Sequence, residues 1–312
     1  MELITDLEDI KEPYTNAVVT IGNFDGVHKG HQAILHQVIE KAESIGGVSV
    51  AITFEPHPMK VLSSNGAPPL ITLFEQKVEL IEQTGIDVLI CTPFTQSFAA
   101  VTARTFIEDI LIDKIGMKAI IIGRDYKFGK NREGSVSFLE QYSESNGIEV
   151  LVADWIPVSH QIPHRISSTR IREIVMEGRV DEARHLLGRY YQIRGKVVTG
   201  RKRGGPMLGF PTANIQLVDE LCPKMGVYAV TVQWGEKRYK GVANIGYAPT
   251  FDDHLFTAEV HLFDFRDDIY GENIKVNFVQ RIRDEKKFAG IEELSEQIRK
   301  DIESAGEILS DI

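Results

Sequence analysis

The sequence predicts two folds in succession: an α/β half with a Rossmann-like parallel sheet, then an antiparallel β-barrel with a terminal helix. Three observations carry this. Short β-branched runs alternate with amphipathic helical patterns through the first half. From Tyr191 the apolar period shortens towards two, with turn residues between the runs. The length, 312 residues, is too great for one small core and suits two domains.

In the first half, strands are predicted at 18–21, 48–54, 88–91 and 119–122. Helices are predicted between and after them, at 31–44, 73–83, 102–115 and 137–145. This alternation implies a parallel sheet with helices on both faces, and such sheets bind ligands at the carboxyl ends of their strands. Two short helices, 168–177 and 180–187, come next. Strands then follow at 191–198, 226–234, 238–245, 257–262 and 274–282, separated by turns such as Trp234-Gly235-Glu236-Lys237. An amphipathic helix at about 291–305 ends the pattern. The boundary is placed near Gly188, giving domains 1–187 and 188–312.

Composition narrows the function. Hydrophobic residues make up 43% and charged residues 26%, as in ordinary globular proteins. A net charge of -10 argues against nucleic acid as a partner, because that needs a basic face. Small phosphorylated substrates need only a few local cations. Cys91 and Cys222 lie far apart without metal-type spacing, so two free, reduced thiols are expected. The first residues are acidic and form no hydrophobic signal core, and no apolar run approaches the roughly 20 residues of a membrane helix. The expected location is the cytoplasm, with no membrane partner.

Two phosphate-handling signatures stand out. The first, Gly22-Asn23-Phe24-Asp25-Gly26-Val27-His28-Lys29-Gly30-His31, follows the first predicted strand. His28 and His31 offer imidazole N–H groups, Gly30 permits close approach, and a helix N-terminus adds free amides. Together they make a cradle for a triphosphate attacked at its α-phosphorus. The tetrapeptide alone is also compatible with two surface histidines at a helix start. Further on, Ile166-Ser167-Ser168-Thr169-Arg170-Ile171-Arg172 opens a helix with hydroxyls and guanidiniums, another phosphate-binding pattern. Ser168 by itself reads equally as an N-cap.

The second signature is the basic, glycine-rich run 200–209 leading into Phe210-Pro211-Thr212-Ala213-Asn214. Such a loop can wrap phosphates with backbone N–H groups. The Thr212 hydroxyl and Asn214 amide oxygen suit Mg²⁺, which keeps waters and binds substrate phosphates. The run is not a Walker A loop. Standing alone, it reads as a flexible basic hairpin with a surface turn at Pro211.

At these segments the chain resembles the nucleotidyltransferase superfamily, with its HxGH and S-T-x-x-R-type motifs. More closely, it resembles the bacterial bifunctional riboflavin kinase/FAD synthetase family. Gly123-Arg124-Asp125-Tyr126-Lys127-Phe128-Gly129 resembles a third motif of that family's first module, and Thr53-Phe54-Glu55-Pro56-His57-Pro58 a fourth, associated with a flavin pocket. The second half resembles riboflavin kinase in order at 209–214, 226–230, 244–251, 259–262 and 281–288.

The resemblance spans essentially the whole chain and implies a six-stranded barrel. It implies ATP- and Mg²⁺-dependent phosphorylation of riboflavin to FMN in the second domain, and adenylylation of FMN to FAD, releasing pyrophosphate, in the first. By position, His28 and His31 match the catalytic phosphate-binding pair. Gly22, Asn23, Phe24, Asp125, Ser168, Thr169 and Arg172 match ATP contacts. Phe54, Pro56, Pro58 and Phe128 match flavin contacts. In the kinase half, Gly209, Pro211, Thr212 and Asn214 match the ATP/Mg²⁺ signature, with Thr212 and Asn214 as metal ligands. Glu259 matches the base that phosphoryl transfer to a primary alcohol requires. Ordinarily a strand glutamate is solvated, but Thr257 and His261 share its predicted face and make that face polar. Glu259 and Arg283 match the kinase flavin contacts, Arg283 and Asp284 are supporting contacts near the end of the barrel, and Arg283 also fits as a surface ion-pair partner of Asp284 or Glu285.

Overall fold

The computed structural model describes residues 1–64, 66–154, 157–159, 162–198, 210–217, 219–247 and 256–312. These fall into two compact units. The first comprises 1–68 and 73–167, the second 69–72 and 168–312. The division at 167/168 precedes the expected boundary at Gly188, which instead caps a helix in a left-handed conformation.

The first unit begins with β1 (Glu2–Ile4), β2 (Ala17–Ile21), α1 (Lys29–Ser44) and β3 (Ser49–Glu55). It continues through α2 (Pro58–Leu62), α3 (Phe74–Glu82), β4 (Val88–Pro93) and α4 (Gln96–Ala99). Next come α5 (Ala103–Thr105), which runs into the π-helical stretch Phe106–Lys114, and then β5 (Met117–Gly123). A small hairpin of β6 (Lys127–Phe128) and β7 (Gly134–Ser135), then α6 (Val136–Asn146), β8 (Glu149–Ala153) and a pair β9 (Pro157–Ser159) and β10 (Ile162–Arg165), complete it.

The main sheet is parallel, in the order β1-β4-β3-β2-β5-β8. All five residues of β2 are buried, as a central strand covered on both faces must be. Strand alternation sorts its side chains into two layers. Val18, Ala51, Leu89 and Ile121 pack with Leu35, Val38 and Ala42 of α1. Val19, Ile21, Ile52, Ile90 and Ile122 pack with Phe106, Ile107 and Leu111. From β2 the chain winds first through β3 and β4, and then through β5 and β8 on the other side. The strand order therefore reverses between β2 and β5, and the crevice at their carboxyl ends is the switch point.

In the second unit, α7 (Ser168–Met176) and α8 (Val180–Leu187) precede the strands β11 (Tyr191–Val198), β12 (Ala213–Leu217), β13 (Gly226–Trp234), β14 (Lys237–Tyr247), β15 (Phe256–Leu262) and β16 (Asn273–Arg283). They close a barrel in the order β11-β12-β15-β14-β13-β16. Tyr191, Tyr228 and Phe278 fill its interior with ring-to-ring contacts. Ala305 of the terminal α9 (Ile291–Ile308) and Leu309, its C-cap, pack against Val227, Ala229 and Val242 on the barrel's outside.

The barrel strand missed by the sequence reading is β12, which contains Ala213 and Asn214 of the second signature. The signature is thus partly strand. The two edge strands β1 and β8 were also missed, because each is short or only half-buried.

Candidate active sites

The first signature forms a tight turn at the switch point. Gly22 donates to the Ile52 carbonyl as β2 ends. Phe24, Gly26 and Val27 then take φ values of 47°, 86° and 35°. Non-glycine residues at positive φ carry strain of roughly 1–3 kcal/mol each, and such strain persists only when the surroundings enforce it. Here burial enforces it, since Phe24 and Val27 are 2% and 1% exposed in the layer facing α1.

The turn delivers His28 as the N-cap of α1, which starts at Lys29, two residues before the predicted start at His31. The His28 Nδ1 accepts the His31 backbone N–H at 3.3 Å. An acceptor at Nδ1 puts the neutral ring's proton on Nε2. The two imidazoles stack with centroids 3.6 Å apart, and Phe24 sits edge-on to His31 at 5.3 Å. Gly30 has a structural reason that its ligand-side role did not suggest. A Cβ there would lie 3.1 Å from His28 Nδ1 and Cε1, pressing on the capping ring.

The third motif follows β5 at the same end of the sheet. Arg124 pairs with Asp154, and Asp125 accepts from Arg165 Nη1 at 2.5 Å. The sequence reading did not single out Arg165, although it lies just before Ser167. Phe128 is a packed residue, 8% exposed, with Tyr126, Phe106 and Phe138 around its ring. The fourth motif leaves β3. Phe54 is half-buried among Phe94 and Phe98, Pro58 is half-buried, and Pro56 is exposed. Behind it lies Lys77 of α3, 6% exposed, whose Nζ donates to the Phe54 carbonyl at 3.4 Å and lies 4.0 Å from Glu55. Burial lowers the pKa of Lys77, and the fields of Glu55, Cys91 and Asp25 oppose that shift.

Ser168, Thr169 and Arg172 open α7, in the second compact unit. Arg172 Nε donates to the Pro69 carbonyl at 2.9 Å within that unit.

In the barrel, register builds the site. Asn214 of β12 pairs across to Glu259 of β15, and Glu259 pairs across to Asn244 of β14. Three polar residues thus form one row over three adjacent strands. Glu259, Asn244 and His261 line a cavity of about 620 Å³, together with Phe210, Thr212, residues 285–288 and α9. A second cavity of about 260 Å³ is lined by Pro211, Thr212, Ala213 and the 265–270 segment. Thr212 borders both cavities. The His261 ring meets the Pro211 carbonyl through Nδ1 at 2.9 Å, which fixes the turn before Thr212. Because a carbonyl only accepts, Nδ1 carries the proton.

The predicted polar face of β15 divides in two. Glu259 and His261 reach the cavity, whereas Thr257 is 9% exposed and turned to the Gly246 carbonyl. Arg283 lines the cavity, but its guanidinium is engaged by Asp301 of α9 in a bidentate pair at 2.8 and 2.7 Å. Its expected partners Asp284 and Glu285 do not hold that place. The Asp284 carboxylate pairs instead with Arg281 and Lys224, which lower its pKa. Asp301 has no local motif and was not foreseen. Gly209, with the rest of 199–209, lies outside the described residues, as do 248–251 of the motif 244–251.

A family model described as FAD synthetase matches residues 10–170, and one described as riboflavin kinase matches residues 187–309. A bifunctional riboflavin kinase/FMN adenylyltransferase of Buchnera aphidicola subsp. Schizaphis graminum is 38% identical over 307 residues, covering 97% of each chain. Its namesake in Escherichia coli strain K12 is 37% identical over 303 residues, covering 96% of each. A crystal structure from Streptococcus pneumoniae, described as a macrolide-efflux protein, aligns with a TM-score of 0.85 and 33% identity over 97% of each chain.

Proposed function

The chain belongs to the bifunctional riboflavin kinase/FMN adenylyltransferase family, and from that premise we propose which of its residues carry each reaction. As a transferase of this family it phosphorylates riboflavin to FMN with ATP and adenylylates FMN to FAD. We assign the second reaction to 1–187 and the first to 188–312, in keeping with the two matched regions.

One observation carries the kinase assignment: Thr212 forms a wall common to two cavities, and Glu259 lines the larger one. The larger cavity is of a size that suits a flavin, with the smaller left for the nucleotide. Glu259 then serves as the base. It takes the proton of the riboflavin primary hydroxyl as that oxygen attacks the γ-phosphorus and the bond to the ADP oxygen breaks.

Thr212 and Asn214 fit Mg²⁺. Asn214 is 8% exposed, and its amide N–H points to the Thr212 carbonyl at 3.4 Å, which leaves its Oδ1 as a hard ligand. Two neutral oxygens hold such an ion mainly through substrate phosphates, and bound there it would offset charge developing on the transferred group. Pro211 and Gly209 belong to the same nucleotide-binding signature.

In the α/β unit, an FMN phosphate oxygen attacks the α-phosphorus of ATP and pyrophosphate leaves. The Nε2–H of His28, His31 and the first amides of α1 stabilise the oxygens that gain charge. Gly22, Asn23 and Phe24 shape the turn, and Asp125 contributes a further ATP contact; Ser168, Thr169 and Arg172 are assigned to ATP by the family resemblance alone. Phe54, Pro56 and Pro58 form the flavin-side surface, with Phe128 bracing it from the core. Among the described residues no helix is long and apolar enough to cross a membrane.

The test is a time course with riboflavin, ATP and Mg²⁺. FMN should appear first and FAD after a lag. If riboflavin is not phosphorylated, the barrel assignment fails; if FMN accumulates without FAD, the assignment of the first unit fails.

A further inference from the structure

α9 brings Leu294, Ile298 and Asp301 to the larger cavity, spaced so that they share one helical face. Two of these are apolar. The third is a carboxylate only 4% exposed, and a buried carboxylate is unfavourable unless paired. The Asp301 carboxylate accepts Nε and Nη2 of Arg283 at 2.8 and 2.7 Å, and Gln297 Nε2 adds a third bond at 3.0 Å. The remaining guanidinium nitrogen, Nη1, donates to the Asp284 carbonyl at 2.8 Å. The fork thus grips the chain where it leaves β16.

The connection between β16 and α9 is held at its other end as well. Lys286 pairs with Glu293 at 3.0 Å, and the second Glu293 oxygen accepts the Ala289 N–H at 3.0 Å. Between these ties lies Phe288, which lines the cavity. The Arg283 guanidinium is 5.8 Å and the Lys286 ammonium 5.4 Å from its ring centre. Both lie in the range where a cation is attracted to a ring face.

We propose that Asp301 is a positioning residue for riboflavin: through Arg283 it fixes Phe288 and α9 as the wall on which the flavin ring system lies, without touching substrate itself. The proposal rests on the barrel being the kinase. It predicts a selective defect, because the wall faces the larger cavity and Asp301 takes no part in lining the smaller one.

The test uses the full chain with Asp301→Asn, a near-isosteric change that removes the charge. The riboflavin KM should rise about tenfold or more, the size expected for losing a charge-assisted hydrogen bond. The kcat should stay within about threefold, the KM for ATP should hold, and FAD formation from supplied FMN should be unchanged. Riboflavin binding without ATP, followed by quenching of flavin fluorescence, should weaken in parallel. Asp301→Glu should recover most of the affinity. Should Asp301→Asn fail to fold, Arg283→Lys keeps the charge and loses the fork, and the same selective rise is expected at smaller size. A riboflavin KM within about twofold of the parent in these variants, or an ATP KM that rises with it, overturns the proposal. Absence of kinase activity in the parent enzyme would instead defeat the underlying assignment.

Discussion

The two sites solve the placement of charge-handling groups in opposite ways. In the α/β unit, the two imidazoles and the helix amides come from four consecutive residues, 28–31, with an N-cap bond and a ring stack among the contacts that hold them. In the barrel, Asn214, Glu259 and Asn244 come from three strands and meet only through cross-strand register. A local site depends on the conformation of a turn. A register site depends on the whole sheet, since a slip of one residue would send Glu259 to the other face. Substitutions that remove a group and keep the scaffold should therefore affect one reaction alone.

The largest effect is expected at Glu259. Glu259→Gln keeps volume and hydrogen bonding and removes the base, so riboflavin phosphorylation should fall by roughly 10²–10⁴-fold. FAD formation from supplied FMN, measured on the same preparation, should persist. Loss of both reactions would show that the two sites are not separable and would break the comparison.

Next in size is His28→Asn. The asparagine oxygen replaces Nδ1 as acceptor for the His31 N–H, and Asn is a good N-cap, so α1 should remain intact. What disappears is the Nε2–H. Adenylylation should drop by about 10²–10³-fold, as for loss of one donor to a developing oxyanion, with phosphorylation unchanged. His28→Ala loses the cap as well and should add about 1 kcal/mol of destabilisation, visible in urea unfolding. Equal activity in His28→Asn and the parent would remove His28 from the chemistry.

The same contrast explains what the sequence disclosed. Spacing within one turn is visible in a linear string, so the histidine cradle could be argued from chemistry before any fold was known. Helices such as 180–187 and strands such as 191–198 were legible to the residue, because their apolar periods are uninterrupted. Register is not visible in a string. Asn244 carried no role until β14 placed it beside Glu259. The partner of Arg283 was sought among its neighbours Asp284 and Glu285, and it lies 18 residues away on α9. Likewise β12 was hidden because the proline and glycines before it read as loop.

A smaller effect sharpens the account of the cradle itself. Gly30 lies inside α1, where alanine is the better helix former. An added Cβ would nonetheless come within 3.1 Å of the His28 ring, so ring or helix must shift by a few tenths of an ångström. Gly30→Ala should cost about tenfold in adenylylation, less than a full 1 Å misplacement would, with thermal stability little changed. A variant as active as the parent would mean that the stack tolerates movement and that its geometry is not what matters.

The smallest effect concerns Lys77, which sits beneath the Phe54–Glu55 corner. Burial lowers its pKa from the ordinary value of 10.5, with Glu55, Cys91 and Asp25 opposing. Between the lowered value and 10.5 the unfolded chain holds a proton that the folded chain has released, so this residue makes stability rise with pH. Below the window both forms are charged and the cost of burial is fully felt; above it both are neutral and the cost is gone. Lys77→Met removes that cost, so the variant should gain most relative to the parent at the low-pH side of the window, and the gain should shrink as pH rises. Cys91 titrates with the opposite sign, since a folded thiol raised above 9.0 loses stability as pH climbs, yet its coupling to Lys77 shrinks the variant's gain further. Burial raises its thiol to about 11, and Lys77 partly holds that rise down. Without Lys77 the thiol shifts further up, which deepens the variant's loss of stability at high pH. Urea midpoints of the two proteins from pH 7 upward, compared as a difference, isolate this pair from other titrating groups. A difference that stays constant with pH would mean that Lys77 keeps its ordinary proton affinity in the folded state. In that case the fields of Glu55, Cys91 and Asp25 fully offset the cost of burying the ammonium beneath the Phe54–Glu55 corner.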